Sequence, residues 1–168
     1  MDRSKLRILA SICLVVGGIL GMVGSFAPPD VRGITWGLDG TLLVLGASLL
    51  TIHYIKLGNE LLAAAFLVFV AGQTLVVSGS AMSLSESSPS FAAGVGLWAA
   101  ALFLICASSA ITTFVRVTAG IAAVLFAITS LQIYGGTALT PLSEPLPSYA
   151  YPVFVITLFG LAWGHFRS

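Results

Sequence analysis

The stretch LRILASICLVVGGILGMVGSFA, residues 6–27, decides the fold. Apart from Arg7 near its start, every residue in it is apolar, small or weakly polar. As a helix rising about 1.5 Å per residue, it spans a hydrocarbon core of about 30 Å. Five runs of the same kind follow, at 34–55, 61–82, 91–111, 117–134 and 149–166. The runs are continuous rather than alternating, and about twice as long as a membrane-barrel strand. With no water to satisfy backbone groups in lipid, such segments have to be helices. The expected fold is all-α: a single polytopic domain, residues 1–168, of six transmembrane helices.

Composition agrees. Of the 168 residues, 58% are hydrophobic and only 8% charged, and mean hydropathy is +1.06. A soluble domain carries about 25% charged residues; this chain cannot cover a water-facing surface that way. Lipid is therefore its main expected partner, and no basic, aromatic-interleaved patch points to nucleic acid.

Charge distribution sets an expected orientation. With the N-terminus inside, Arg3, Lys5, Arg7, Lys56, Arg116 and Arg167 fall on the inner side, and only Arg32 outside. Asp30, Glu86 and Glu144 then lie in the outer loops. Loops this short obey the positive-inside rule, so both termini are expected in the cytoplasm. The first run has the basic start of a signal peptide, but its apolar stretch exceeds the usual 7–15 residues. Ile12 before Cys13 is too large for a lipoprotein cleavage site. It reads as a retained helix of a plasma-membrane protein. Cys13 and Cys106 read as small packing residues, without disulfide or metal spacing.

The chain also reads as three tandem helical hairpins, 1–58, 59–116 and 117–168. Val23-Gly24-Ser25-Phe26, Ser78-Gly79-Ser80-Ala81 and Gly135-Gly136-Thr137-Ala138 close helices one, three and five. The outer connections hold Pro28, Pro29 and Gly33, then a Ser-rich loop at 83–90 with Pro89, then Pro141, Pro145 and Pro147 at 140–148. Parallel repetition of this kind differs from the inverted repeats common in carriers.

Small residues recur at helical spacing: Gly17, Gly21 and Gly24 in helix one; Gly33, Gly37 and Gly40 in helix two; Ala65, Gly72 and Gly79 in helix three; Gly160 and Gly164 in helix six. In lipid, small residues let helix backbones approach closely. These faces suit packing within one bundle, and also a homo-oligomer or a larger membrane complex. Trp36, Trp163, Tyr54, Tyr149 and Tyr151 fall near the interfaces, as aromatic belts do; Trp98 lies deeper, in the core.

Few residues could carry chemistry. Asp39 is the one acidic residue within an apolar run, and desolvating a carboxylate is expensive. It reads first as an ion pair with Arg32, one to two turns away. The alternative is a substrate or ion pathway in an outer-leaflet cavity, with Asp39, Gln73 and Gln132 as its polar groups and Ser78 and Ser130 nearby. Gln73 and Gln132 otherwise bond across helices. His53 and His165 end helices two and six at equal depth. That placement permits haem ligation, but helix-end histidines beside Lys56 and Arg167 are more simply interfacial, and no cofactor is expected. There is no catalytic triad, no HExxH, no dinucleotide fingerprint and no P-loop, so no catalytic residue is assigned.

The run Gly18-Ile19-Leu20-Gly21, the turn Phe26-Ala27-Pro28, Gly37 and the apolar residues 42–50 resemble the HdeD-like family of small bacterial membrane proteins. That resemblance implies a six-helix, stress-linked inner-membrane protein without established chemistry. The second and third hairpins depart from it, with Pro89 and Pro141 in longer loops. Three functions stand as expectations. One is a non-enzymatic structural, stress-related or accessory protein. Another is a small-solute or proton channel or carrier using Asp39. The third is a haem-binding electron-transfer subunit.

Overall fold

A computed structural model describes residues 3–80 and 84–167 of the chain. Among them it is all-helical: α1 (Arg3–Phe26), α2 (Pro29–Lys56), α3 (Glu60–Ser80), α4 (Leu84–Ala107), α5 (Thr113–Tyr134) and α6 (Tyr151–Arg167), with a π-helical turn at Leu146–Ala150 leading into α6. Among the described residues, six helical segments are long and apolar enough to cross a membrane. Ala81 and Met82, the end of the third apolar run, and Ser83 of the next loop lie outside the described residues.

The ends of the runs move for local reasons. α2 begins at Pro29, before the run at 34, because Pro28 and Pro29 open it. Proline at the first helical position gives up an N–H that would have no partner there anyway. α4 departs further: residues 84–90 of the expected Ser-rich loop are helical, with Pro89 inside. Glu86 in the first turn suits the positive end of the helix, and Pro89 forgoes only one backbone bond.

Two turns are closed by the same device. After α2, Asn59 N–H donates to the Tyr54 carbonyl at 2.9 Å and Gly58 N–H to Ile55 at 3.0 Å. After α5, Thr137 N–H donates to Gln132 at 3.0 Å and Gly136 N–H to Ile133 at 3.0 Å. These are Schellman closures. They need a left-handed residue, supplied by Gly58 at φ 69° and Gly136 at φ 94°. Asn59 then caps α3, its Oδ1 accepting from Leu62 N–H at 3.1 Å.

The helices form a closed ring. Each packs on its neighbours in sequence, and α6 returns to α1. Packing is most extensive between α3 and α4 and between α1 and α2, and sparsest between α5 and α6. Glycines set the closest approaches. A Cβ on Gly72 would lie 2.7 Å from the Gly94 carbonyl oxygen, and one on Gly94 would lie 2.7 Å from that of Gly72. A Cβ on Gly46 would lie 2.9 Å from the Ala10 carbonyl, and one on Gly17 would lie 3.0 Å from Leu43. Gly24 faces Trp36, Gly160 faces Val115, and Gly18 takes Leu158 of α6. The small-residue faces of Gly17, Gly21, Gly24 and Gly160 are thus used inside the ring, while a Cβ at Gly33, Gly37 or Gly164 would meet open space.

Rings fill the middle of the bundle. Phe69 stacks on Trp98 and Phe154, with centroids 5.9 and 5.7 Å apart, and Phe126 meets Trp98 edge-on at 5.3 Å. Such offset and edge-to-face pairs add to area burial. The outside is apolar on every helix: Ile12, Leu45, Leu67, Phe103, Val124 and Phe159 are all exposed. A contiguous apolar surface of this extent is foreign to water-facing monomers.

Candidate functional site

The aromatic septum of Phe69, Trp98, Phe126 and Phe154 lies between two cavities at opposite ends of the ring. Along α2, Asp39 belongs to one and His53 to the other, about 21 Å apart at 1.5 Å per residue.

The first cavity sits at the end with the α1–α2 turn. Its volume is about 60 Å³. A water needs about 10–15 Å³ of such space, so it holds a few waters or one small head group. Its polar wall is Asp39, Ser25, Ser87 and Tyr151; its apolar wall includes Trp36, Phe91, Trp98 and Phe154. Leu139, Thr140, Pro141 and Leu146, from the segment between α5 and α6, cover it.

Asp39 is brought here by the spacing of α2: Trp36, Asp39 and Leu43 share one face, turned inward. The carboxylate lies over Gly21, so close that a Cβ there would stand 2.9 Å from Oδ1. Only glycine admits it. Asp39 is 7% exposed and Gln73 0%. The Gln73 side chain approaches the carboxylate without closing a bond of full geometry, and Asp39 Oδ1, both Gln73 amide atoms and Trp98 Nε1 are buried without a hydrogen-bond partner. Buried polar atoms are normally satisfied, and these four lie at or beside one cavity.

The expected Arg32–Asp39 pair is not formed. Arg32 Nη2 donates to the Ala27 carbonyl at 2.8 Å, and the guanidinium stands 5.8 Å from the centroid of Trp36. Arg32 closes the end of α1, a carbonyl within its reach, instead of turning inward to a carboxylate two turns along. Arg32→Ala should therefore cost at most about 1.5–3 kcal/mol, the scale of one hydrogen bond made by a charged group, and less than the loss of a buried ion pair. Thermal unfolding in detergent checks this; a large loss would restore the pair.

Gln132 does not join Asp39 either. It is exposed, and its carbonyl closes the turn after α5. Ser78 is exposed and bonds its own helix at Leu75. Ser130 is buried, but donates to the Ala92 carbonyl at 2.8 Å. Of the expected outer group, only Asp39 and Gln73 come together. Ser25, Ser87, Tyr151 and the two tryptophans replace the rest. Trp36 was readable from its three-residue offset from Asp39; the others came from helices whose facing the sequence does not mark.

The second cavity is an open vestibule of about 740 Å³ at the end where α1 begins and α6 finishes. It brings the two histidines together, with ring centroids 6.1 Å apart. Tyr54, expected as an interfacial anchor, is buried and bonds His165 Nε2 at 2.9 Å. It also stacks on Phe66, with planes 2° apart. His165 Nδ1 is buried without a hydrogen-bond partner. Among the described residues no three His, Cys, Asp or Glu side chains are grouped to hold a metal ion. Arg7 also lines the vestibule. Tyr54→Phe should strand the His165 nitrogen and cost about 1–3 kcal/mol, read as a lower unfolding midpoint in detergent.

Comparisons with known protein families, with characterised proteins and with solved structures find no match to this chain.

Proposed function

We propose that the chain is a non-enzymatic, multi-pass plasma-membrane protein that binds a small organic cation at Asp39, the substrate site of a small-solute carrier or channel. The observation that carries this is the buried, unpartnered Asp39 Oδ1 at a cavity walled by Trp36, Phe91, Trp98 and Tyr151. A carboxylate supplies the counter-charge. Aromatic faces attract an alkylammonium by cation–π interaction, worth up to about 2 kcal/mol or more once water is excluded. An intramembrane carboxylate facing a cavity is the usual mark of an ion or substrate pathway. The small-residue faces give less support to a purely structural role, since most are used within the ring.

The membrane placement belongs to the same proposal: six spans as three tandem hairpins, both termini in the cytoplasm, in a bacterial inner membrane as the HdeD-like resemblance implies. Asp39 then opens toward the outer leaflet. The faces left for a second copy or another subunit are those of Gly33 and Gly37. Reporter fusions after Gly58 and after Ser143 should read cytoplasmic and external respectively. Any other pairing breaks this topology.

The test of function is titration of the purified protein with methylammonium and tetramethylammonium while tryptophan fluorescence is followed. Trp36 and Trp98 line the cavity, whereas Trp163 lies under Arg167, 4.3 Å from ring centroid to guanidinium. A saturable change that Asp39→Asn removes supports the reading. No change with either ion refutes it.

A further inference from the structure

We propose that residues 137–145, between α5 and α6, are the gate of the Asp39 cavity: the segment swings on Gly136 and lifts Leu139 and Pro141 away to admit the ligand. This deepens the cation reading and rests on that cavity being the ligand site.

Asp39 is 7% exposed, so a ligand reaches it only if part of the wall moves. Leu139, Thr140 and Pro141 are the part of the lining that belongs to no helix, among the described residues. The helical walls are locked by close contacts, such as Gly18 against Leu158 and Gly21 against Asp39. Moving one of those helices would take the ring apart; moving the connection would not. The connection is also longer than closure requires. Residues 135–145 join α5 to the π-helical turn, whereas residues 27–28 join α1 to α2 and residues 57–59 join α2 to α3. Long connections in compact folds commonly serve as lids over sites.

The bonding of the segment is self-contained. Thr140 N–H donates to Ser143 Oγ at 2.8 Å, and Ser143 N–H returns to the Thr140 carbonyl at 3.1 Å. The two hydroxyls meet at 2.9 Å. Leu146 N–H donates to the Ser143 carbonyl at 3.1 Å, and Thr137 N–H to that of Gln132 in α5 at 3.0 Å. The segment can therefore move as one piece while these bonds stay made. Its hold on the ring is apolar: Leu139 packs against the core, and Pro141 is half-buried. Such contacts have no fixed direction and re-form after slipping.

The two ends of the segment differ. Gly136 holds φ 94°, and nothing lies within 4 Å of a Cβ placed there. A glycine in open space absorbs the backbone rotation that a hinge needs. At the other end Leu146 and Pro147 are buried, which anchors the segment where α6 begins.

The test uses the purified full chain in detergent, carrying Trp163→Phe so that Trp36 and Trp98, which line the cavity, report. Leu139→Ala removes the latch. Leu142→Ala, on the exposed side of the same segment, is the control. Acrylamide quenching without ligand reports how often the cavity is open. Leu139→Ala should raise the quenching constant about twofold or more by shifting the population toward open, and Leu142→Ala should not. Stopped-flow mixing with tetramethylammonium gives the rates. The latch closes over the empty and the filled site alike. Leu139→Ala should therefore raise association and dissociation together, by about tenfold, with Kd nearly unchanged. Quenching in Leu139→Ala equal to that of the parent overturns the gate. So does a raised Kd with an unchanged association rate, which would make Leu139 binding surface alone. Raised quenching in a protein that gives no response to alkylammonium ions upholds the gate and refutes the cation site, so the two readings fail separately. If Leu139→Ala does not fold, Pro141→Ala decides by the same two readouts.

Discussion

Gly94→Ala should destabilise the protein by on the order of 3 kcal/mol, while Gly37→Ala should leave it unchanged or slightly more stable. At Gly94 the added carbon would stand 2.7 Å from the Gly72 carbonyl oxygen and 3.1 Å from the Val76 backbone nitrogen. Neither is a flexible side chain that can swing away. α3 and α4 would have to separate by several tenths of an ångström, loosening the most extensive helix contact in the ring. Overpacking of a tight core costs about 1–3 kcal/mol or more, and close backbone approach is a main source of helix association in lipid. At Gly37 nothing lies within 4 Å of the added carbon, and alanine is the better helix former by about 1 kcal/mol. Unfolding midpoints in the same detergent measure the difference. Equal midpoints would mean that the crossing is looser than the structure shows.

Asp39→Asn should weaken alkylammonium binding roughly 10–150-fold, the equivalent of losing a hydrogen bond to a charged group at about 1.5–3 kcal/mol. The same change should not lower the stability of the empty protein. Asp39 is 7% exposed, has no ion-pair partner among the described residues and leaves Oδ1 unsatisfied. A buried carboxylate in that state is a cost to folding, and the amide keeps the shape against Gly21. The combination separates a binding role from a structural one: a structural carboxylate would lose stability on substitution, with no ligand effect to lose. Unfolding midpoints with and without tetramethylammonium measure both, since a ligand stabilises by RT ln(1 + [L]/Kd). A fall in the empty protein's midpoint with an unchanged ligand-induced rise would sink the assignment.

The helices were legible in the apolar runs because length alone separates a span from a core strand. Their facing was not. In a soluble helix the polar side marks the outside; here both sides are apolar, so the sequence gives depth without direction. Gln73 and Gln132 show the difference. Each sits in the later half of its apolar run, yet one is fully buried beside Asp39 and the other is exposed. The histidines followed the same logic. Their equal depth was readable, but their meeting depends on how α2 and α6 face across the ring interior. Tyr54 looked like an interfacial anchor, a role that depth predicts, and it is buried and lines the vestibule instead. Arg32 was misplaced because a carboxylate one or two turns away looks a better partner than a backbone carbonyl, and the end of α1 offered the carbonyl first. At 84–90, serine and proline composition read as loop, although α4 tolerates both near its start.

The order of packing around the ring bears on biogenesis. α2 through α5 each find a neighbour made immediately before, so the chain can assemble as it emerges. The seam between α1 and α6 differs: Leu158 must reach Gly18, a partner synthesised 140 residues earlier. At about 5–20 residues per second, the groove on α1 waits roughly 7–28 seconds for its last occupant. During that interval the Asp39 cavity lacks the walls that Tyr151 and Phe154 supply. A nascent chain stalled before α6 would present a buried carboxylate and a glycine groove at once, the features by which quality control could recognise an unfinished ring.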